Sequence, residues 1–143
     1  MEIRAVNKDD LQTIHRFVCE LEDEQFDLEL FRPLFLQNIN TPHYHYLLAV
    51  EGDKAAGYIS CHGQTLLHHL GLVYEIQEIF VDRGYRSRGI GRMLLQALEA
   101  LVSKEEYQLL EVASNMRRKG AHQFYLNTGF ECSSYKFKKR PMG

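Results

Sequence analysis

Residues 81–92 read Val81-Asp82-Arg83-Gly84-Tyr85-Arg86-Ser87-Arg88-Gly89-Ile90-Gly91-Arg92. The residues just before, Ile76 to Val81, form a short apolar run typical of a buried strand. After the stretch, apolar residues recur at helical spacing, namely Met93, Leu94, Leu95, Leu98 and Leu101. The periodicity therefore changes from strand to helix inside a basic turn that contains several glycines.

This turn has the composition of an anion-binding site. The first N–H groups of a helix lack intrahelical partners, and the helix dipole is positive there, so a phosphate can accept several of them. Gly89 and Gly91 let the backbone approach such a group closely. Guanidinium forks suit phosphate oxygens, and the turn supplies three of them, from Arg86, Arg88 and Arg92.

Two better-known phosphate motifs do not match the turn. A Walker loop requires a Gly-Lys-Ser/Thr sequence, and the dinucleotide fingerprint requires a third glycine and a later acidic partner. A short Gly-x-Gly turn also occurs between strands and helices that bind nothing. The preceding strand, the following amphipathic helix and three arginines within seven residues favour a binding site here.

The composition predicts one cytoplasmic domain over residues 1–143. That length supports a single core, and the formal net charge of -2 argues against nucleic acid as a partner. Cys19, Cys61 and Cys132 are widely spaced and form no C-x-x-C pair, which favours a reduced compartment. No stretch has the length of a membrane span or the form of a signal peptide. The oligomeric state stays open, a homodimer included.

The order of periodic segments predicts an α+β fold with a mixed sheet flanked by helices. A residue that can cap a helix, Asn7, precedes the first helix, and Gly129 stops the last one. Residues 107–113 are apolar enough for a central strand. The predicted strands span residues 2–6, 44–50, 55–61, about 73–81, 107–113 and 130–138. The first predicted helix begins after Asn7, and the other three span residues 28–38, about 88–103 and about 117–127.

Five features follow one another in a fixed order along nearly the whole chain. They are a strand ending at Val81, the turn Arg86-x-x-Gly89-x-Gly91, a long helix, a strand ending Ala113-Ser114-Asn115, and the motif Phe124-Tyr125-x-x-x-Gly129-Phe130. Together they resemble the GNAT superfamily of acetyl-coenzyme A dependent N-acetyltransferases. The resemblance implies a mixed, mostly antiparallel GNAT-type sheet.

Dispersed motifs carry a resemblance to a narrower group, the aminoalkylphosphonate N-acetyltransferases. These motifs are Cys19-Glu20-Leu21, Phe26-Asp27, Phe31-Arg32, Leu67-His68-His69, Glu75-Ile76-Gln77-Glu78, Asn115 with Arg118, and Ala121-His122-x-Phe124-Tyr125-Leu126. This resemblance implies a small primary amine as the acceptor, in the first place an aminoalkylphosphonate.

The resemblance to the superfamily also implies how acetyl-coenzyme A is held. Its pantetheine arm would bond to the backbone of Ile79 and Val81, and the Asn115 side chain would face the same arm. An alternative for Asn115 is a local turn residue before the next helix. The pyrophosphate of the coenzyme would accept the backbone N–H groups of Arg88, Gly89, Ile90, Gly91 and Arg92.

Acetyl transfer to an amine requires the unprotonated amine. An alkylammonium with a pKa near 10.4 is almost wholly protonated at neutral pH, a handicap of roughly 4 to 5 kcal/mol. We expect Glu75, and in second place Glu78, to act as the general base among apolar strand neighbours. Successive strand residues alternate in direction, so both carboxylates can share one side only if a bulge intervenes, as the resemblance implies. It also implies that Tyr125 protonates the leaving thiolate, in a direct transfer without an acetyl-enzyme.

Charged groups that could bind the acceptor are spread along the sequence. Glu20 and Asp27 could hold an ammonium group. The resemblance implies a divalent metal as well, although adjacent His68 and His69 would point to opposite sides of a regular strand. Candidates for a phosphonate are Arg32, Arg118, His68, His69 and His122.

Other functions stay open at this point. The acceptor could instead be a polyamine, an aminoglycoside or a peptide amine. A protein of this fold could also bind acyl-CoA without catalysis and regulate a partner, and a plain nucleotide-binding module is a further alternative.

Overall fold

The computed structural model describes residues 1–143 as one five-stranded sheet with helices on both faces. Three short 3-10 turns, at Lys8–Asp10, Leu67–His69 and Arg83–Tyr85, join the longer elements. The strands are β1 (Glu2–Ala5), β2 (Tyr44–Glu51), β3 (Lys54–Leu66), β4 (Gly71–Val81) and β5 (Tyr107–Val112), and the helices are α1 (Leu11–Glu22), α2 (Leu28–Ile39), α3 (Ile90–Val102) and α4 (Lys119–Asn127).

The strands lie side by side in chain order, β1-β2-β3-β4-β5. The first four are antiparallel, and β5 is parallel to β4 because α3 carries the chain back across the sheet before β5 begins. The predicted mixed, mostly antiparallel α+β fold is therefore confirmed.

The helices cover the two faces of the sheet with separate apolar clusters. On one face, α3 packs its buried residues Leu94, Leu95 and Leu98 against the sheet. On the other face, α1 and α2 bury Phe17 and Phe35, among others, against the opposite side of the same strands. The apolar periodicities in the sequence are thus satisfied by burial on both sides.

A capping network fixes the passage from β1 to α1. The Asn7 side chain accepts the backbone N–H of Asp9, and the Asp10 carboxylate accepts the N–H of Asn7 in return. Asp10 is buried, and its two oxygens each accept a guanidinium N–H of Arg4 at 2.9 Å. The arginine and the N–H of Asn7 hold the pKa of the Asp10 carboxyl below its usual value against the opposing effect of burial. The predicted helix start at Asn7 is thus realised through a short 3-10 turn.

The prediction of a closing strand at residues 130–138 is wrong. The chain after Phe130 forms no strand, and every residue from Glu131 to Gly143 is exposed. Alternating side chains favour a strand only where an edge is available to pair with. In the single chain this segment pairs with neither edge of the sheet.

The prediction that residues 107–113 form a central strand is wrong for the same reason. The strand exists as β5, but it lies at the edge of the sheet and pairs with β4 alone. Leu109 on it is 39% exposed.

None of the four helices is long and apolar enough to cross a bilayer.

Candidate active site

A bulge in β4 brings the two predicted carboxylates to one face of the sheet. Ser60 of β3 pairs with Glu78, and the next pair joins Cys61 to Ile76, so Gln77 has no partner in β3. His62 then pairs with Glu75. Paired residues share a face, and Ser60 and His62 lie two apart on one strand, so Glu75 and Glu78 point to the same side. This is the face that α1 and α2 cover in part.

Glu78 is half-buried and firmly held. Its Oε1 accepts the Ser60 hydroxyl at 2.8 Å and also the hydroxyl of Tyr58. Tyr58 is fully buried, and burial, reinforced by the Glu78 charge, raises the pKa of that phenol well above its usual value. The phenol therefore stays a donor, and the Glu78 carboxylate is fixed in one orientation.

Glu75 is less constrained. Its side chain is half-buried and accepts one hydrogen bond, from Gln77 Nε2 at 3.2 Å. Glu75 lines an open pocket formed by residues of β3, β4 and β5. The pocket contains a second carboxylate and no lysine or arginine, its lining residues being His62, Gln64, Leu66, Val73, Glu75, Gln77 and Glu111.

His62 completes this part of the site, although the sequence did not predict a role for this residue. Its ring stacks on Tyr44 at 3.6 Å, and its Nε2 lies 2.7 Å from the Tyr46 hydroxyl, which also accepts Asn38 Nδ2. Burial lowers the pKa of His62, with Glu78 and Glu75 acting in the opposite direction. The alternation of aromatic and histidine residues in Tyr44-His45-Tyr46 is the one signal in the sequence that could have indicated this cluster.

The sheet opens between β4 and β5 just beyond the bulge. The two strands pair from Leu72 to Ile76 and no further. Beyond the bulge, the remaining part of β4, from Glu78 to Val81, pairs with β3 on one side and with no strand on the other. Ile79 and Val81, the predicted backbone contacts, lie on this open section. The side of β4 that has no partner strand at these residues can therefore accept an extended ligand as an added strand.

The turn after β4 presents unused N–H groups. No backbone N–H from Arg88 to Arg92 has an acceptor within the chain, and no side chain caps α3. Gly89 precedes the helix with φ of 76°. A Cβ added at Gly91 would lie 3.5 Å from the Phe124 ring, an ordinary contact, so packing within the chain does not require that glycine. The geometry fits the predicted anion site.

The arginines of the turn differ in their contacts. Arg86 donates its Nε to the carbonyl of Val81 at 3.1 Å, which ties the turn back to the end of β4. Arg88 forms a 3.0 Å ion pair with Glu51 and lies over the Tyr85 ring. Arg92 makes no ion pair or side-chain hydrogen bond and is exposed at the first turn of α3. All three residues lie in the connection from β4 to α3 or in the first turn of that helix.

Asn115 precedes α4, and Tyr125 lies within that helix. Asn115 accepts the N–H of Arg117 through its side chain and His122 Nε2 through its carbonyl, so it has the local turn contacts of the alternative interpretation. Tyr125 packs against Phe124 and Phe130. Burial raises the pKa of Tyr125, with the charge of Arg118 acting in the opposite direction, so the phenol is protonated at neutral pH.

The proposed acceptor-binding cations are mostly engaged elsewhere. Arg32 pairs with Glu29 on the exposed side of α2, and His68 and His69 lie in the turn between β3 and β4. Arg118 donates to the carbonyl of Leu21, which joins the start of α4 to the end of α1. Asp27 caps α2 by accepting the N–H groups of Glu29 and Leu30.

A divalent metal does not fit the residues present. No three His, Cys, Asp or Glu side chains lie close enough together to coordinate one ion. His68 and His69 are near each other, with ring centroids 4.4 Å apart, but no third ligand joins them. The residues present therefore do not fit the metal that the resemblance implies.

The chain has relatives of known family. Residues 10–130 match the model of the family described as the acetyltransferase (GNAT) family. The chain is also 35% identical over 138 residues to the aminoalkylphosphonate N-acetyltransferase of Salmonella typhimurium, an alignment that covers 96% of this chain and 90% of that protein.

Solved structures share the fold at low identity. A transcriptional regulator from Bacillus halodurans C-125 superposes with a TM-score of 0.89 and 18% identity, covering 97% of this chain and 98% of that one. The aminoglycoside N-acetyltransferase AAC(6')-Iy in complex with CoA gives a TM-score of 0.86 and 16% identity, covering 98% of this chain and 93% of that one. These two likenesses concern the fold alone.

Proposed function

This chain belongs to the GNAT acetyltransferase family, and we propose that it transfers the acetyl group of acetyl-CoA to a small primary amine, in the first place an aminoalkylphosphonate. It is an acyltransferase. The bulge at Gln77 carries the proposal, because it places Glu75 and Glu78 together beside the opening between β4 and β5.

The donor would occupy the open side of β4 and the turn that follows it. The N–H groups from Arg88 to Arg92 have no acceptor in the chain and would bind the pyrophosphate of coenzyme A. Ile79 and Val81 would bond the pantetheine arm through the backbone on the side that lacks a strand. Asn115 would have to face that arm with its free amide group, because its Oδ1 already accepts Arg117.

Glu75 is the better placed of the two carboxylates to accept the proton of the amine. Glu78 already accepts two hydroxyl groups, whereas Glu75 accepts one amide and lines the pocket directly. The amine nitrogen would attack the thioester carbon, forming the C–N bond as its proton passes to Glu75. Glu78 would then orient and support the site as the second candidate base.

Cleavage of the C–S bond releases a thiolate that needs a proton. The proposed donor is Tyr125, which is kept protonated by burial. The products are the N-acetylated amine and the free thiol of coenzyme A. A covalent acetyl-cysteine route has little support, because burial raises the pKa of Cys61 to about 12 and so suppresses its thiolate.

The sequence relative in Salmonella supports an aminoalkylphosphonate as the acceptor. Arg118 is the cation with the best position for the anionic end, since it lies near Tyr125 and joins α4 to α1. A second acceptor class is favoured by the pocket itself. Glu75 and Glu111 line it without any lysine or arginine, which suits an acceptor with a second amine, such as a polyamine or an aminoglycoside.

A panel of amines with acetyl-CoA distinguishes these acceptors by the rate of coenzyme A thiol release. The proposal predicts a higher kcat/KM for an aminoalkylphosphonate than for a polyamine or an aminoglycoside. The opposite ranking would favour the second class and leave the transferase assignment intact. No thiol release with any amine would contradict the proposal.

Substitution of the carboxylates tests the roles within the site. Glu75→Gln should lower kcat by about 10²- to 10⁴-fold while the affinity for coenzyme A stays unchanged. Glu78→Gln should have a smaller effect, because that carboxylate is held by Tyr58 and Ser60. Glu99→Gln, an exposed change on α3, is the matched control. A Glu75→Gln enzyme with full activity would remove Glu75 from the mechanism.

A further inference from the structure

A hydrogen-bonded chain connects α2 to the pocket that Glu75 lines. Asn38 on α2 donates its side-chain amide to the Tyr46 hydroxyl at 3.0 Å, and that hydroxyl lies 2.7 Å from His62 Nε2. Tyr46 belongs to β2 and His62 to β3, where His62 pairs with Glu75 of β4. The chain of contacts therefore runs from a helix, through two strands, to the neighbour of the proposed base.

The positions of the protons in this chain follow from what each group can donate. Burial raises the pKa of the Tyr46 phenol, so the phenol keeps its proton at neutral pH. The phenol oxygen accepts the Asn38 amide, and the phenol proton has one acceptor within reach, His62 Nε2. A proton on Nε2 would leave the proton of the half-buried phenol without an acceptor, which is unfavourable. The neutral His62 ring therefore carries its proton on Nδ1.

The Nδ1 atom of His62 is free to meet a ligand. It makes no hydrogen bond within the chain, and it is open to solvent, since the one buried side-chain nitrogen or oxygen without a partner is Oε2 of Glu105. Tyr44 covers one face of the His62 ring, with ring centroids 3.6 Å apart. The ring is thus held at Nε2 and on one face, and the N–H at Nδ1 is the polar group that it can offer to the pocket it lines.

This N–H lies beside the carboxylates of the pocket. His62 and Glu75 are paired across two antiparallel strands, where opposite Cβ atoms are about 4.5 to 5.5 Å apart. Glu75 and Glu111 can accept the N–H groups of an amine, whereas His62 offers a neutral donor that suits an oxygen atom. A small molecule with an amine and an oxygen a few bonds apart matches this pair of groups.

We propose that His62 determines the class of acceptor by donating its Nδ1–H to an oxygen atom of the substrate, and that Asn38 and Tyr46 are positioning residues that hold the ring in this tautomer. This role rests on the proposed acetyl transfer to a small amine. An aminoalkylphosphonate would bind Glu75 through its nitrogen and His62 through a phosphonate oxygen. The protonated amines of a polyamine offer only further N–H donors, which would leave the N–H of His62 without an acceptor. Because Tyr46 occupies the lone pair of Nε2, His62 does not compete with Glu75 as the general base.

Nitrogen NMR of the histidine-labelled chain at neutral pH tests the tautomer without any substrate. The signals of His62, identified by their loss in His62→Asn, should show a protonated Nδ1 and an unprotonated Nε2. Tyr46→Phe removes the donor to Nε2 and should move the proton toward that atom. Tyr107→Phe is the matched control, because the Tyr107 ring packs on the other face of the sheet and its hydroxyl makes no hydrogen bond. A wild-type ring protonated on Nε2 would overturn the proposal.

Steady-state kinetics tests the choice of acceptor. With aminoethylphosphonate, His62→Leu should lower kcat/KM by about 10- to 100-fold, mainly by raising KM, while the value for ethylamine, which has no oxygen, should change much less. His62→Asn keeps an N–H near the position of Nδ1 and should recover part of the loss. Ethanolamine distinguishes the two kinds of oxygen, and its loss should be smaller than that of the phosphonate because a charged oxygen accepts the stronger hydrogen bond.

Two results of these kinetics would count against the role of His62. Equal losses for aminoethylphosphonate and ethylamine would overturn it, because a purely structural defect affects both amines alike. No turnover of any amine by the wild-type chain would contradict the proposed function itself, and this role with it, even where the tautomer is as expected. Unchanged affinity for coenzyme A in each variant confirms that the fold is intact.

Discussion

At the residue scale, burial separates the groups of the site that keep a proton from those that can exchange one. Burial raises the pKa of Tyr58, Tyr46 and Tyr125, so all three phenols remain donors at neutral pH. Burial instead lowers the pKa of His62, so that ring is neutral. Among these groups, Glu75 has the fewest partners and direct access to the pocket. Of the two predicted carboxylates, Glu75 is therefore the one free to accept a proton.

His62 makes stability depend on pH. Its pKa in the folded protein lies below the ordinary value of 6.5 that it regains on unfolding, because burial disfavours the charged ring. The unfolded chain thus binds more protons below pH 6.5, and the free energy of unfolding should fall as the pH is lowered from 7.5 to 5.5. Urea unfolding at both pH values measures this, and the difference should be smaller in His62→Asn.

An NMR titration of the His62 ring gives a direct control for this prediction. The Cε1 proton should report a midpoint below 6.5. A midpoint at or above 6.5 for His62 would contradict both the buried, neutral ring and its contribution to the pH dependence.

Tyr125→Phe tests the proposed proton donor. Removal of the hydroxyl leaves the packing of the ring against Phe124 and Phe130 in place, so stability should change little. If Tyr125 protonates the thiolate, kcat should fall by about 10²-fold or more while the affinity for coenzyme A is kept. Tyr135→Phe, in the exposed segment after α4, is the control. Unchanged kcat in Tyr125→Phe would assign the residue to packing alone.

At the element scale, the start of α3 combines backbone conformation with binding. Gly89 has φ of 76°, a conformation that costs other residues about 1 to 2 kcal/mol. Nothing lies within 4 Å of a Cβ added there, so strain and obstruction of a ligand are the only costs. Gly89→Ala should therefore lower the free energy of unfolding by about 1 kcal/mol and also weaken coenzyme A binding.

Gly84→Ala supplies the matched control for this change. Gly84 lies in the same connection, has no neighbour within 4 Å of an added Cβ, and does not have a positive φ. Its substitution should leave both the urea midpoint and the dissociation constant of coenzyme A, measured by calorimetry, unchanged. Equal effects of the two alanines would contradict a specific role for the turn that begins α3.

The sequence predicted most elements, and its two errors have one physical origin. Periodicity identified α1, α2, α3 and the β2–β3 hairpin because each of them shows its whole pattern within a short stretch of sequence. Residues 130–138 have the pattern of a strand, but pairing depends on an edge that the pattern does not contain. The position of β5 at the edge follows from that same missing partner.

The candidate site was predictable in parts. Glu75 and Glu78 were identified from their place on the strand, and the bulge was expected only through the family resemblance, since Gln77 has no feature that marks it as unpaired. His62 was missed because its environment depends on stacking with Tyr44 and on Asn38 from another element. Contacts of this kind arise only once the strands are in register.

At the scale of the whole molecule, the proposed donor site would join three elements. The open section of β4, the start of α3 and the Asn115 turn before α4 would all contribute to it. α4 has no fully buried residue, so a ligand that touches it adds contacts the free protein lacks. Coenzyme A binding is therefore expected to stabilise the fold as a whole.

Thermal unfolding measures this stabilisation. A ligand present at 100 times its dissociation constant, bound only by the folded state, adds about 2.7 kcal/mol, which raises Tm by about 5 to 10 °C for a domain of this size. ATP at the same concentration shares the phosphates but lacks the pantetheine arm, so its shift should be much smaller. The shift from coenzyme A should also shrink in Gly89→Ala, because the turn presents its N–H groups less well. An equal shift from ATP would mean that the site binds phosphates alone and that the open side of β4 takes no part, which would contradict the proposed donor.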